Sequence, residues 1–148
     1  MKIAIIADTH NNETNIRRIV DWLNKEKIPV LLHCGDISSK ESLDLIRSSF
    51  LGEAKFVSGN ADFNLSLPDF LEVGKIAFCH KPDLARSLAE SGKYDIVFYG
   101  HTHQPWEEKV GNCRLVNPGE AAGQLNKATF ALYDGEKDLL ELKILERM

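Results

Sequence analysis

A chain of 148 residues, 43% hydrophobic and 27% charged, has the composition of one ordinary globular domain; a chain of this length buries roughly 70% of its unfolded surface. The net charge of −4 and pI near 5.7 argue against a general nucleic-acid binder and weigh against long polyanions as partners. Three cysteines, an odd number without paired zinc spacing, and no signal peptide or spanning apolar run point to reduced thiols in a cytoplasmic protein with no membrane partner.

No linker, internal repeat or low-complexity tract interrupts the chain. The continuous apolar run Lys2–Ala7 predicts a buried strand, followed by the polar loop Asp8-Thr9-His10-Asn11-Asn12. The spacing of Ile16, Ile19, Val20 and Leu23 predicts a helix over 13–27, capped by Asn11 or Asn12 and ended before Pro29. A second buried strand follows at Val30–Cys34, stopped by Gly35-Asp36. Next come a helix at 40–48 and a short strand at 55–57 ending in Ser58-Gly59-Asn60. Phe70–Val73 and 75–79 read as a hairpin about Gly74, the second strand ending on His80. Pro82 opens a helix over 82–91. A strand at 95–99 then leads into Tyr99-Gly100-His101-Thr102-His103-Gln104-Pro105. Beyond Pro105, segments 106–110, 113–116, 128–133 and 139–145 alternate with turns and no helices, an antiparallel hairpin pattern. An α/β half and a β-rich half together predict two packed sheets flanked by helices.

The strand ends carry the chemistry. Asp8 and His10, Asp36, Asn60, His80, and His101 with His103 each follow a strand of the first half. In open α/β sheets ligands bind beyond the carboxyl ends of the strands. Seven oxygen and nitrogen ligands on one edge exceed a tetrahedral site. They suit two divalent ions sharing a carboxylate, about 3.5–4 Å apart. With no cysteine in the set, manganese, iron, nickel and zinc all remain open. Each residue alone has a plainer reading: Asp8 as a helix-entry cap, Asp36 and Asn60 as turn formers, and His101 with His103 as a surface pair.

Asp8-x-His10, Gly35-Asp36, Gly59-Asn60, His80 and Gly100-His101-x-His103, in that order, resemble the five blocks of the calcineurin-like metallophosphoesterases. The compact length and Asn117-Pro118-Gly119 resemble the small single-domain prokaryotic phosphodiesterase branch. The resemblance spans essentially residues 1–148 as one domain. It implies an α/β four-layer αββα sandwich of two mixed β-sheets, metallo-dependent phosphatase-like. It implies one metal on Asp8, His10, Asp36 and His103, and a second on Asp36, Asn60, His80 and His101, with manganese the first expectation. Asp36, Asn60 and His80 are then expected to carry catalysis, in which a hydroxide bridging the metals attacks the phosphorus of a small phosphodiester. A homodimer or homotetramer is in keeping with related small enzymes. Other readings are a non-catalytic interaction scaffold, as in a retromer subunit that resembles this fold, or a phosphomonoesterase or nuclease.

Three departures from the family pattern carry expectations of their own. Ala61 stands where many members have a histidine, which predicts a preference for activated esters. Lys81 replaces a usual glycine and is expected to narrow the mouth of the site or make it more cationic. Glu120 replaces a small residue and is expected to restrict anionic substrates. Asn11, Asp62 and His33 are candidates to orient a ligand or touch substrate. His33 has the alternative of a satisfied core histidine, and Asp62 of a loop cap. Cys34 and Cys79 are read as small core residues, and Trp106 as packing of the second sheet or a wall of the site.

Overall fold

A computed structural model describes residues 1–148. Its elements follow in the order β1 (Lys2–Ile6), α1 (Glu13–Lys25), β2 (Val30–His33), α2 (Lys40–Ser49), β3 (Glu53–Phe56), β4 (Phe70–Val73) and β5 (Ile76–Cys79). Then come α3 (Pro82–Glu90), β6 (Ile96–Phe98), β7 (Trp106–Val110), β8 (Cys113–Asn117), β9 (Thr129–Asp134) and β10 (Leu139–Ile144). They build two five-stranded sheets, β10-β9-β1-β2-β3 and β4-β5-β6-β8-β7. Both are mixed: β1, β2 and β3 run parallel, as do β5, β6 and β8, with antiparallel strands at the flanks.

Strand alternation sorts the side chains into three cores. On β1, Ala4 and Ile6 face α1 and α2, meeting Ile16, Ile19, Leu23 and Ile46. Ile3 and Ile5 turn the other way and pack between the sheets against Phe78, Phe98 and Val116. On the far side Ala77, Val97 and Leu115 meet Ala85 and Ala89 of α3. The result is the expected αββα sandwich, with β1, β2 and β6 buried on both faces, which is why they read as unbroken apolar runs.

The C-terminal strands do not form a half of their own. β7 and β8 join the second sheet, β8 lying parallel to β6, whereas β9 runs antiparallel beside β1 in the first. Each sheet therefore draws on both ends of the chain. Helix α1 stops two residues short of its expected end. Lys27 adopts φ +57°, and Ile28 N–H and Lys27 N–H donate back to Leu23 and Asn24 carbonyls, a Schellman closure that sends Ile28 into the core. No helix is long and apolar enough to cross a membrane.

Candidate metal centre

β1, β2 and β3 in one sheet and β5 and β6 in the other all end toward one edge, and the loops there are drawn tightly together. A methyl group at Gly59 would lie 2.2 Å from the Asp36 amide nitrogen, and one at Gly35 2.8 Å from Gly59 N. Only glycine fits between these turns. The loops are also bent into the left-handed region at Asp8, His10, Asp36, His101 and His103, with φ from +41° to +76°. Such conformations cost of order 1–3 kcal/mol each for non-glycine residues and persist where surrounding structure imposes them. Here the imposing contacts are identifiable. Asp8 N–H donates to Gly35 O and His10 N–H to Asp36 O, stitching the first loop to the second. His101 N–H donates to Asp8 Oδ2 at 3.1 Å, stitching the last loop to the first.

The side chains converge around two carboxylates. One atom from each of Asp8, His10, Asp36 and His103 lies within 4.8 Å of the others. Asp8 Oδ1 is 3.9 Å from His10 Nε2, 3.8 Å from His103 Nε2 and 3.9 Å from His80 Nδ1. Asp36 Oδ2 has a different position: it is 3.5 Å from His10 Nε2 and 3.4 Å from His80 Nε2. His80 Nε2 is in turn 3.3 Å from His101 Nδ1. One oxygen thus stands between a His10 cluster and a His80–His101 pair. The other carboxylate oxygen, Oδ1, is occupied by the Ala61 N–H at 2.8 Å. Asn60 is exposed and lines, with His101, Lys81 and Pro82, a cleft of about 530 Å³ beside that pair.

One hydrogen bond orients the central imidazole. His80 Nδ1 donates to the Cys34 carbonyl at 2.9 Å, which turns Nε2 toward Asp36 and His101. Burial pushes the Asp8 carboxyl up to about 7, against the pull of His80 and His103 and with the push of Asp36. Burial also lifts Asp36, but the hydrogen bonds from His80 and the Ala61 amide outweigh it and hold its carboxyl at about 2. Burial opposes the imidazolium of His80, yet Asp36 reverses this and raises it above the usual range; burial prevails at His10 and lowers it. Asp8 Oδ1 and His10 Nε2 are buried without a hydrogen-bond partner. Unpartnered oxygen and imidazole nitrogen facing one point form a donor set fit for a divalent cation, which would satisfy them together.

The remaining candidates sit behind or beside this cluster. Asp62, expected to partner a ligand histidine or cap a loop, is a cap. Its carboxylate accepts the N–H groups of Asp36 (2.7 Å), Ser38 (2.8 Å) and Gly59 (2.9 Å), tying the second and third loops into one unit. His33 is fully buried and satisfied at both nitrogens: Nδ1 accepts from Gly35 N–H and Nε2 pairs with Thr9 Oγ1, each at 3.0 Å. Burial drives its pKa down to about 3, so the ring is neutral, a core residue that braces the neighbours of Asp8 and Asp36. The Asn11 amide oxygen accepts from Ser39 and Ser42 hydroxyls at the rim. Lys81 is exposed and lines the cleft. Cys34 and Cys79 are buried, Cys34 between the sheets and Cys79 against α3, on the face opposite His80.

Two expectations fail. Trp106 neither walls the site nor packs into a core; it is 54% exposed on the edge strand β7, beside an apolar cavity of about 280 Å³ with Leu140 and Leu142. Glu120 does not reach the mouth, so it is not placed to restrict anionic substrates. It is wholly buried, accepts the N–H groups of Gln124, Leu125 and Asn126, and has Oε2 3.4 Å from His103 Nδ1. The only sequence signal for that role was a lone carboxylate set among the small residues Gly119, Ala121 and Ala122.

Comparison with known proteins agrees with this geometry. A family model described as the calcineurin-like phosphoesterase superfamily domain matches residues 1–138. Phosphodiesterase MJ0936 of Methanocaldococcus jannaschii is 31% identical over 166 residues, an alignment covering 99% of this chain and all of that protein. A solved structure of an archaeal phosphodiesterase superposes with a TM-score of 0.87 at 29% identity, covering 97% of this chain and 99% of that one. Vps29 of Chaetomium thermophilum, at 21% identity and a TM-score of 0.74 over 97% of this chain and 95% of its own, shares the fold.

Proposed function

The chain belongs to the calcineurin-like phosphoesterase superfamily, and from that premise we propose that it is a dinuclear metal-dependent phosphodiesterase acting on small phosphodiesters. The observation that carries this reading is the placement of Asp36 Oδ2, 3.5 Å from His10 Nε2 and 3.4 Å from His80 Nε2, facing the Nε2 atom of a histidine in each of the two groups. In this reading Asp8, His10, Asp36 and His103 hold one divalent ion, and Asp36, Asn60, His80 and His101 the other. Manganese suits the mixture of carboxylate, amide and imidazole, with nickel, iron or zinc as competitors. Two bound cations would acidify a water and neutralise charge on the phosphoryl oxygens.

The chain's own residues do the positioning. Ala61 N–H and Asp62 hold Asp36 with one oxygen free toward both groups. Cys34 O holds the His80 ring in the tautomer that offers Nε2. The cleft beside Asn60 and His101 admits the ester, and Lys81 on its wall supplies a positive charge for a phosphate oxygen. Nothing in the position of Ala61 can protonate a departing alkoxide. Three free cysteines agree with a reducing, cytoplasmic setting.

The test is hydrolysis of a phosphodiester series with added manganese. Bis(4-nitrophenyl) phosphate is expected to be cleaved only with the metal, and alkyl diesters at least about 100-fold more slowly, because general-acid help of that order is missing. Equal rates on nitrophenyl and alkyl esters would contradict the leaving-group argument. A folded, manganese-loaded protein that cleaves neither would contradict the enzymatic reading and favour an interaction scaffold.

A further inference from the structure

We propose that Glu120 is a positioning residue for the metal centre. It sets the tautomer and orientation of His103 from behind and so tightens the ion that Asp8, His10, Asp36 and His103 would hold. The inference rests on the ligand assignment proposed above. Glu120 is 0% exposed and lies on the loop that follows β8. An ionised carboxylate can accept about four hydrogen bonds. Three are supplied by the amides of Gln124, Leu125 and Asn126, so the charge is stabilised in place without water. Oε2, which accepts two of these amides, is also 3.4 Å from His103 Nδ1.

His103 Nδ1 is itself buried and lacks a formed hydrogen bond, and Glu120 is the acidic group beside it. A small turn of the ring converts this ion-pair distance into an Nδ1–H to carboxylate hydrogen bond. The proton then resides on Nδ1, and the lone pair on Nε2 points at Asp8 Oδ1, 3.8 Å away. This is the carboxylate–histidine–metal arrangement, in which the outer carboxylate raises the basicity of the ligating nitrogen and fixes the ring; losing it typically costs 10–100-fold in metal affinity. The two loops are tied at a second point, since Asn126 Nδ2 donates to the His103 carbonyl at 2.8 Å. Glu120 and His103 therefore move as one body.

Two measurements decide the matter. Long-range 15N–1H correlation spectra of the metal-free, histidine-labelled protein, assigned with His103→Ala, report the tautomer directly. His103 is expected as Nδ1–H; an Nε2–H ring would overturn the proposal, with no need for a Glu120 variant to fold. Manganese titration then compares Glu120→Gln with the parent chain and repeats the change in a His103→Ala background. Affinity for one ion should fall 10–100-fold in the first background and be unaltered in the second. An equal loss in both backgrounds, or none in the first, would show that Glu120 merely holds the 120–126 loop. Failure of the parent chain to bind manganese would instead strike the proposed function, while the tautomer measurement still reads the Glu120–His103 contact alone.

Discussion

Replacing Asp36 by alanine is expected to lower kcat/KM on a nitrophenyl phosphodiester by at least about 1,000-fold, or about 4 kcal/mol of transition-state stabilisation. The size follows from position. Every other candidate ligand belongs to one group, whereas Asp36 Oδ2 faces both His10 and His80. Its removal should weaken both ions and also free His80, whose charged form it supports. The fold should survive. Asp36 belongs to none of the three hydrophobic cores, and its backbone amide keeps the Asp62 hydrogen bond. Circular dichroism should therefore match the parent while turnover is lost. Residual activity within tenfold of the parent would mean that this carboxylate is not shared between the ions.

The second large effect is on stability, and its sign depends on metal. Asp8 is wholly buried, and Oδ1 has no hydrogen-bond donor. In the metal-free protein its folded pKa is about 7, against 3.8 for a free aspartate. The folded state therefore keeps a proton that the unfolded chain has released. The contribution of Asp8 to stability is full below about pH 4, declines as pH rises toward 7, and is level above that. Asp8→Asn removes the decline. Its amide oxygen can still accept from His101 N–H, and its NH2 can face the imidazoles. At pH 8 the metal-free variant should be more stable than the metal-free parent by on the order of 2 kcal/mol, and at pH 4 the two should be equal. Manganese reverses the order. At one hundred times its Kd a ligand stabilises the parent by about 2.7 kcal/mol, and the variant should gain little. Denaturant unfolding at the two pH values, with manganese and with chelator, reads all four corners. A variant less stable than the metal-free parent at pH 8 would show that Asp8 is not a buried charge lacking a counter-ion.

Much of this was legible in the chain because the parallel strands are buried on both faces. β1, β2 and β6 appear as apolar runs, and each ends abruptly in the polar residues that form the site. Family resemblance sorted those residues into two groups; the structure clusters Asp8, His10, Asp36 and His103, sets His80 beside Asp36 and His101, and leaves Asn60 at the adjoining cleft. Local pattern did not reveal pairing across the chain. Nothing in Ala128–Tyr133 marks it as the partner of Lys2–Ile6 rather than of its neighbours, so the C-terminal strands looked like a separate half. Local pattern offered Asp62 as a loop cap and His33 as a core histidine without their partners: Asp62, His33 and Glu120 act through backbone amides and ring nitrogens brought close only by the fold. Glu120 was misread for a physical reason: an acidic side chain after a Pro-Gly turn is usually solvated, and here three loop amides replace the water. Trp106 erred in the other direction, since large aromatic residues are usually covered, and this one lies on an edge strand with one side open.

A two-ion centre divided between His101 and His103 is read out by a count of tightly bound manganese per chain, by elemental analysis after gel filtration, in the parent, His101→Ala and His103→Ala. Two ions are expected in the parent and one in each variant, with the folded circular dichroism spectrum retained. One ion in the parent, or two still held by His101→Ala, would contradict this division.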